Sequence, residues 1–241
     1  MSSKLRPRSL RSSVGVLFAV SVACTDNATE TTIPCFDFDF CDGSQGWVAQ
    51  FSDYPAGDEA LFELASGYRR LPPPLSSRGG LFISGNNHSD DLFMYLKRRV
   101  SGFEPNTDYQ VSFIVDFATD VPTGCGGVGG SPGESVFVKA GASNIEPNSV
   151  LDQLGWLRMN VDKGNQANSG ANAVVIGNVA NSTLCEQNIR RYEIKELRSP
   201  RPVPVTTDET GSAWLLVGTD SGFEAVTTLY YTRITAEFSK S

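Results

Sequence analysis

Histidine is nearly absent: His88 is the only one in 241 residues, and none of the five cysteines forms a Cys-x-x-Cys pair. Those absences remove the usual ligand sets for zinc. Clusters of basic residues interleaved with aromatics are missing as well, and acidic residues outnumber basic ones 27 to 20. That balance disfavours phosphate backbones, so no nucleic-acid partner is expected. Past residue 24 no segment shows a sustained, capped helical pattern. "DEALFELASGYRR" and "SVLDQLG" offer one or two helical turns each, no more.

What is present begins with an export signal. Lys4, Arg6, Arg8 and Arg11 precede a short apolar run, Val14 to Ala23, that ends in small residues. This is the order of a signal peptide over 1–23, and ten apolar positions are too few to span a bilayer. The run closes on "SVAC", which resembles a bacterial lipobox except that Ser21 stands where Leu is usual. Lipidation is therefore expected at Cys24, followed by a polar tether over 24–34. The expected location is the outer membrane or cell surface, with membrane contact through the lipid alone; ordinary secretion or a periplasmic location is the alternative. Removing the four leader cations from the 20 leaves 16 basic against 27 acidic residues, a mature net charge of −11.

Cys35, Cys41, Cys125 and Cys185 then remain, an even number suited to an oxidising compartment. Of three connectivities, Cys35–Cys41 and Cys125–Cys185 are favoured. The first pair flanks one strand-like run; the second ties two loops rich in Gly and Asn.

Alternation with period two dominates residues 35–241. "FDFDF" puts Phe36, Phe38 and Phe40 on one face, and "YQVSFIVDF" does the same for Tyr109, Val111, Phe113, Val115 and Phe117. Nine further runs of this kind, bounded by Gly, Pro, Asn or Asp, bring the expectation to about eleven strands. The fold class is all-β, a two-sheet antiparallel β-sandwich of jelly-roll type in a single domain. Trp47, Trp156 and Trp214 lie within strand alternation and are expected in the core. "LRSPRPVPVTTDETG" reads as a long connection.

Two motifs match in letters and fail in context. "GCGGVG", Gly124 to Gly129, fits G-x-G-x-x-G, but a strand pattern follows where a helix N-terminus must hold the pyrophosphate. "GGSPG" fits the nucleophile elbow, yet Pro132 has no N–H to donate to an oxyanion. "DFDFCDG" has the flavour of a calcium loop without EF-hand spacing; a calcium site using Asp42 and backbone carbonyls stays open, and no other cofactor is implied.

The stretch "SGNNHSDDLF" concentrates Asn86, Asn87, His88, Asp90 and Asp91 just ahead of a strand. Asn, Asp and Ser are turn formers, so one reading is a structural loop. The others are a ligand or calcium loop, and a catalytic cluster. No catalytic residue is assigned. Carboxylate pairs for glycoside cleavage are not evident, because Glu193 and Glu196 fall on opposite faces of a strand.

The segments "NHSDDLFMYLKRRVSGFEPNTDYQVSFIVDFAT", "GGSPGESVFVKAGAS" and "WLLVGTDSGFEAVTTLYYTRITAEF" resemble exported bacterial lipoproteins of uncharacterised function. These carry a β-sandwich similar to carbohydrate-binding modules of the galactose-binding-like kind, and the resemblance spans Phe36 to Phe238. It implies a non-catalytic cell-envelope binding module with a glycan or polysaccharide as ligand. Asn86, Asn87, His88, Asp90, Asp91 and Glu134 would line its loop end, since amides and carboxylates suit sugar hydroxyls. A glycan hydrolase or lyase on the same sandwich, or a purely structural surface protein, are the alternatives.

Overall fold

The computed structural model describes residues 34–241. The expected signal peptide, the expected lipidation site Cys24 and nearly all of the expected tether lie outside the described residues. At Pro34 the chain is already on the sheet, its carbonyl accepting from Phe238 N at 3.2 Å.

Among the described residues fifteen strands form three antiparallel sheets. In chain order they are β1 (Cys35–Asp39), β2 (Val48–Ser52), β3 (Tyr54–Pro55), β4 (Ala65–Arg70), β5 (Gly79–Asn86), β6 (Leu92–Ser101), β7 (Asp108–Thr119) and β8 (Val136–Ser143). Then follow β9 (Ser149–Leu151), β10 (Trp156–Met159), β11 (Ala173–Asn178), β12 (Glu193–Arg198), β13 (Val203–Thr206), β14 (Ser212–Ser221) and β15 (Val226–Lys240). A seven-stranded sheet is built on the central pair β7–β15, with β12 and β13 sharing the outer edge of β7 and with β5–β4 and β1 on the far edge of β15. The second sheet runs β11-β8-β14-β6-β2, and the third is the small set β3-β10-β9.

The two large sheets face each other across one core. In β7 the expected inward set is Tyr109, Val111, Phe113, Val115 and Phe117, and all five are buried. Opposite them Val136, Val138 and Ala140 of β8 and Ala213, Leu215 and Val217 of β14 are likewise buried. The all-β sandwich expected from alternation is the observed fold.

The differences are local. Phe40 is fully buried, as expected, but from a 3-10 turn (Phe40–Asp42) and not from β1. Asp39 caps that turn by accepting from Cys41 N at 2.8 Å. The turn also disposes of the Cys35–Cys41 disulfide, which does not form. Four steps of extended strand carry Asp39 about 13 Å from Cys35, whereas bonded cysteines have Cα atoms within about 7 Å. Cys125 and Cys185 are bonded, with Cα atoms 5.2 Å apart. "SVLDQLG" holds β9 and a turn at Gly155 (φ +84°) instead of helical turns. The proline-rich "LRSPRPVPVTTDETG" contains β13, which pairs with β7; Pro204 is tolerated because β13 is an edge strand.

The outer face of the five-stranded sheet is the part that matters for a site. Register aligns its side chains in rows: Ser143–Trp214–Arg99, then Gly141–Leu216–Lys97–Val48, then Lys139–Gly218–Tyr95–Gln50, then Phe137–Asp220–Phe93–Ser52. Residues 144–172, the excursion that carries β9 and β10, lie over the lower rows. Met159 and Val161 pack there on Phe93, Tyr95, Leu216 and Ala173, forming a second, smaller core. The row of Trp214 stays at the open end.

Candidate functional site

The six loop residues singled out from the sequence are for the most part committed to holding the fold. Asn87 is buried; its Nδ2 donates to the carbonyls of Ser221 (2.8 Å) and Phe223 (3.0 Å), and its Oδ1 accepts from Ser89 N. Asn86 Nδ2 donates to Glu63 Oε1 at 3.0 Å. His88 is exposed, with its ring edge-on to Phe62 at 5.5 Å between centroids. Asp90 takes a positive φ of 58°, the turn conformation Asp tolerates, and its carbonyl accepts from Gln166 Nε2.

Asp91 belongs to a buried charge cluster beneath residues 144–172. Lys139 Nζ and Lys163 Nζ each lie 2.8 Å from Asp220 Oδ2, and Lys163 also reaches Asp53 Oδ2 at 3.3 Å. Arg158 bridges Asp53 (3.1 Å) and Asp91 (3.3 Å). Arg158 Nε also lies 3.8 Å from Asp152 Oδ2, so three cations meet four carboxylates. Burial pushes the Asp91 carboxyl up to about 6, against the opposing pull of Lys163. For Lys163, burial is overcome by Asp220 and Asp53, and its pKa rises. The cluster's Lys139–Asp220 centre is fully buried and its Arg158 rim is partly exposed; the cluster fastens the cover to the sheet.

Glu134 lies elsewhere, in a cleft of about 460 Å³ lined also by Glu193, Lys195, Asn178, Asn181 and Ser182. This cleft sits where β11 and β12, edge strands of the two large sheets, come together beside the Cys125–Cys185 bond. Burial raises the Glu134 pKa, but the Ser131 hydroxyl and the Gly124 amide more than offset it and hold the carboxyl below its usual range. Glu193 is held low by Ser182 and Arg191. Lys195 is pushed down by burial, while its Nζ donates to Ala180 O at 2.6 Å.

The two letter-matched motifs take up structural work. Gly129 (φ +70°) turns the chain where a Cβ would meet Gly222 O at 2.3 Å, and β8, not a helix, follows. Asp42 is exposed, and among the described residues no group of three or more His, Cys, Asp or Glu side chains could hold a metal ion.

A second cleft, of about 370 Å³, opens at the uncovered end of the five-stranded sheet. Trp214 forms part of it with Gln50, Lys97, Arg98, Arg99 and Glu146. The expectation of three core tryptophans holds only for Trp47, which is 4% exposed. Trp214 and Trp156 are half-buried on outer surfaces. In "SAWLLVG" the inward set is Ala213, Leu215 and Val217, which leaves Trp214 in phase with the other face. That phase was readable; what hid it was that Leu216, on the same outer face, is equally apolar because residues 144–172 cover it.

The ions around Trp214 are mostly paired. Lys97 Nζ bonds Glu146 Oε1 (2.7 Å), Asn148 Oδ1 (2.6 Å) and Pro147 O (3.0 Å), and lies 5.7 Å from the Trp214 ring centroid. Arg99 pairs with Asp208 at 2.8 Å. Arg98 stacks on Phe38 at 4.3 Å from the ring centroid, and its Nη1 is buried without a hydrogen-bond partner.

No protein-family model matches the chain, and no curated protein matches it. Among solved structures it is similar to a family 61 carbohydrate-binding module in complex with β-1,4-galactotriose, at 11% identity and TM-score 0.35 over 84% of this chain and 94% of that one. It is similar to the CBM22-1-GH10 modules of a Clostridium thermocellum xylanase complexed with xylohexaose, at 13% identity and TM-score 0.38 over 85% of this chain. A third is the enzymatically active domain of a bacteriophage tailspike protein, at 10% identity and TM-score 0.31 over 79% of this chain. This chain spans 28% of the xylanase's length and 19% of the tailspike's. At such distances the likenesses assign no ligand to this chain.

Proposed function

We propose that this protein is an exported, lipid-anchored cell-envelope protein whose single sandwich domain, residues 35–241, is a non-catalytic glycan-binding module. One observation carries the binding reading: a partly exposed tryptophan at the open end of an otherwise covered sheet face, ringed by hydrogen-bonding side chains. An indole offers a flat apolar surface to the C–H face of a sugar ring, and Gln50, Arg99 and Glu146 border the same cleft, where hydroxyls would lie. The loop cluster of Asn86, Asn87, His88, Asp90 and Asp91 supports this site only indirectly, by holding the strands in register.

On a broad glycan array the protein is expected to bind a subset of oligosaccharides, and Trp214→Ala to weaken that binding at least tenfold. A blank array, or unchanged binding by Trp214→Ala, removes the reading. Anchoring has its own measurement. Cys24→Ser is expected to move the protein from the membrane fraction to the soluble one; retention with the membrane would overturn lipidation at that residue.

A further inference from the structure

Of the three cations around Trp214, two have acidic partners: Lys97 has Glu146 and Arg99 has Asp208. Arg98 has none among the described residues. Its guanidinium lies on the ring of Phe38 and against the backbone of Gly46, where a Cβ would come within 3.2 Å of Nη1. Burial alone shifts it, lowering its pKa, with no neighbouring carboxylate to restore it. A guanidinium cannot shed its charge to relieve this, unlike a lysine or a histidine. A partly buried cation whose buried Nη1 has no acceptor is costly unless something pairs with it. Its position at the rim of the cleft sets what that something is.

We infer that the Trp214 cleft selects glycans carrying an isolated anionic group, a uronate carboxylate or a sulfate ester, and that Arg98 is the residue that takes it. The inference rests on the glycan-binding reading and names the ligand class for that same site. A planar guanidinium meets carboxylate or sulfate oxygens with charge-assisted hydrogen bonds, while Trp214 holds a sugar ring by its face. One uncommitted cation matches one anion. The chain's net charge of −7 works against a densely charged polymer, whose remaining anions would meet a repulsive surface.

The test is calorimetric titration with four probes: a neutral tetrasaccharide backbone bearing one glucuronate, its carboxyl-reduced form, its sulfated counterpart, and polygalacturonate. The glucuronate or the sulfated probe should bind at least tenfold more tightly than the reduced one; which of them does so identifies the anion. Arg98→Gln should erase that preference and keep the weaker binding of the reduced probe, whereas Trp214→Ala should weaken binding of every probe. Arg98→Lys keeps a charge and should retain part of the preference, which guards against a fold defect in Arg98→Gln; melting curves of both variants accompany the titrations. Equal binding of reduced and anionic probes overturns the inference and leaves glycan binding standing. Binding of none of them overturns both. Polygalacturonate binding as tightly as the single glucuronate overturns the requirement for an isolated charge.

Discussion

Replacing Cys125 and Cys185 together by serine is expected to lower the unfolding free energy by about 4 kcal/mol, the loop-closure value for a separation of 60 residues. The bond joins the loop after β7 to the loop after β11, at the end of the sandwich where the edges of both large sheets meet. The same segments are also linked by a bridge between Thr123 and Leu184, by hydrogen bonds of Thr123 with Asn181, Thr183 and Cys185, and by Asn181 N to Val121 O at 2.7 Å, all of which depend on the two loops already being close. Urea unfolding measures the effect directly. The midpoint should fall in the double variant, and reduced wild type should unfold at the same concentration. A midpoint unchanged by either route would show that the strands alone hold this end together. The same variant should leave the Trp214 cleft intact, because that cleft lies on the outer face of the five-stranded sheet and shares no lining residue with the disulfide end.

The sandwich was legible in the sequence because alternation reports which face is dry, and the strongest runs came out as expected. Tyr109 to Phe117 and Phe36 to Phe38 needed no tertiary information. The failures share one cause. Alternation assumes one buried and one wet face, and the five-stranded sheet is buried on both along most of its length. Leu216, Phe93 and Tyr95 therefore read like core although they face away from it, and Trp214 reads as core by the same logic. The candidate site was less legible still. Asn87 and Asp91 resemble ligand-binding residues by type, but a sequence does not say whether an amide's donors end on carbonyls or on solvent. Arg98 carried no signal at all. Its phase along β6 is that of Leu96 and Val100, and only the folded structure shows it beside Gly46 in the lining of the cleft.

The buried charges under residues 144–172 give the other large expected effect. Lys139 and Asp220 have fully buried side chains, and among the described residues Asp220 is the only carboxylate with which Lys139 forms an ion pair. The other two acceptors of Lys139 Nζ are neutral carbonyls, Lys163 O at 2.9 Å and Asn168 O at 3.0 Å. Asp220→Asn is nearly isosteric, so packing is kept while the counter-charge is removed. It should destabilise the protein by about 3–5 kcal/mol, the range for stranding one partner of a buried pair. Adding Lys139→Met removes the stranded ammonium and should return most of that loss, so the two substitutions will be strongly non-additive. The pH dependence has a defined sign. Burial already holds the Lys139 pKa below 10.5, and losing Asp220 pushes it lower still. The penalty is then full below that folded-state pKa, where Lys139 is charged in both states. It fades as pH rises toward the unfolded value of about 10.4, where the proton is lost from both. Urea midpoints for wild type, the two single variants and the double variant, at neutral pH and near pH 10, measure both effects. Additive losses, or an Asp220→Asn deficit that does not shrink at high pH, would mean that the cover is held by the contacts of Met159 and Val161 and not by these charges.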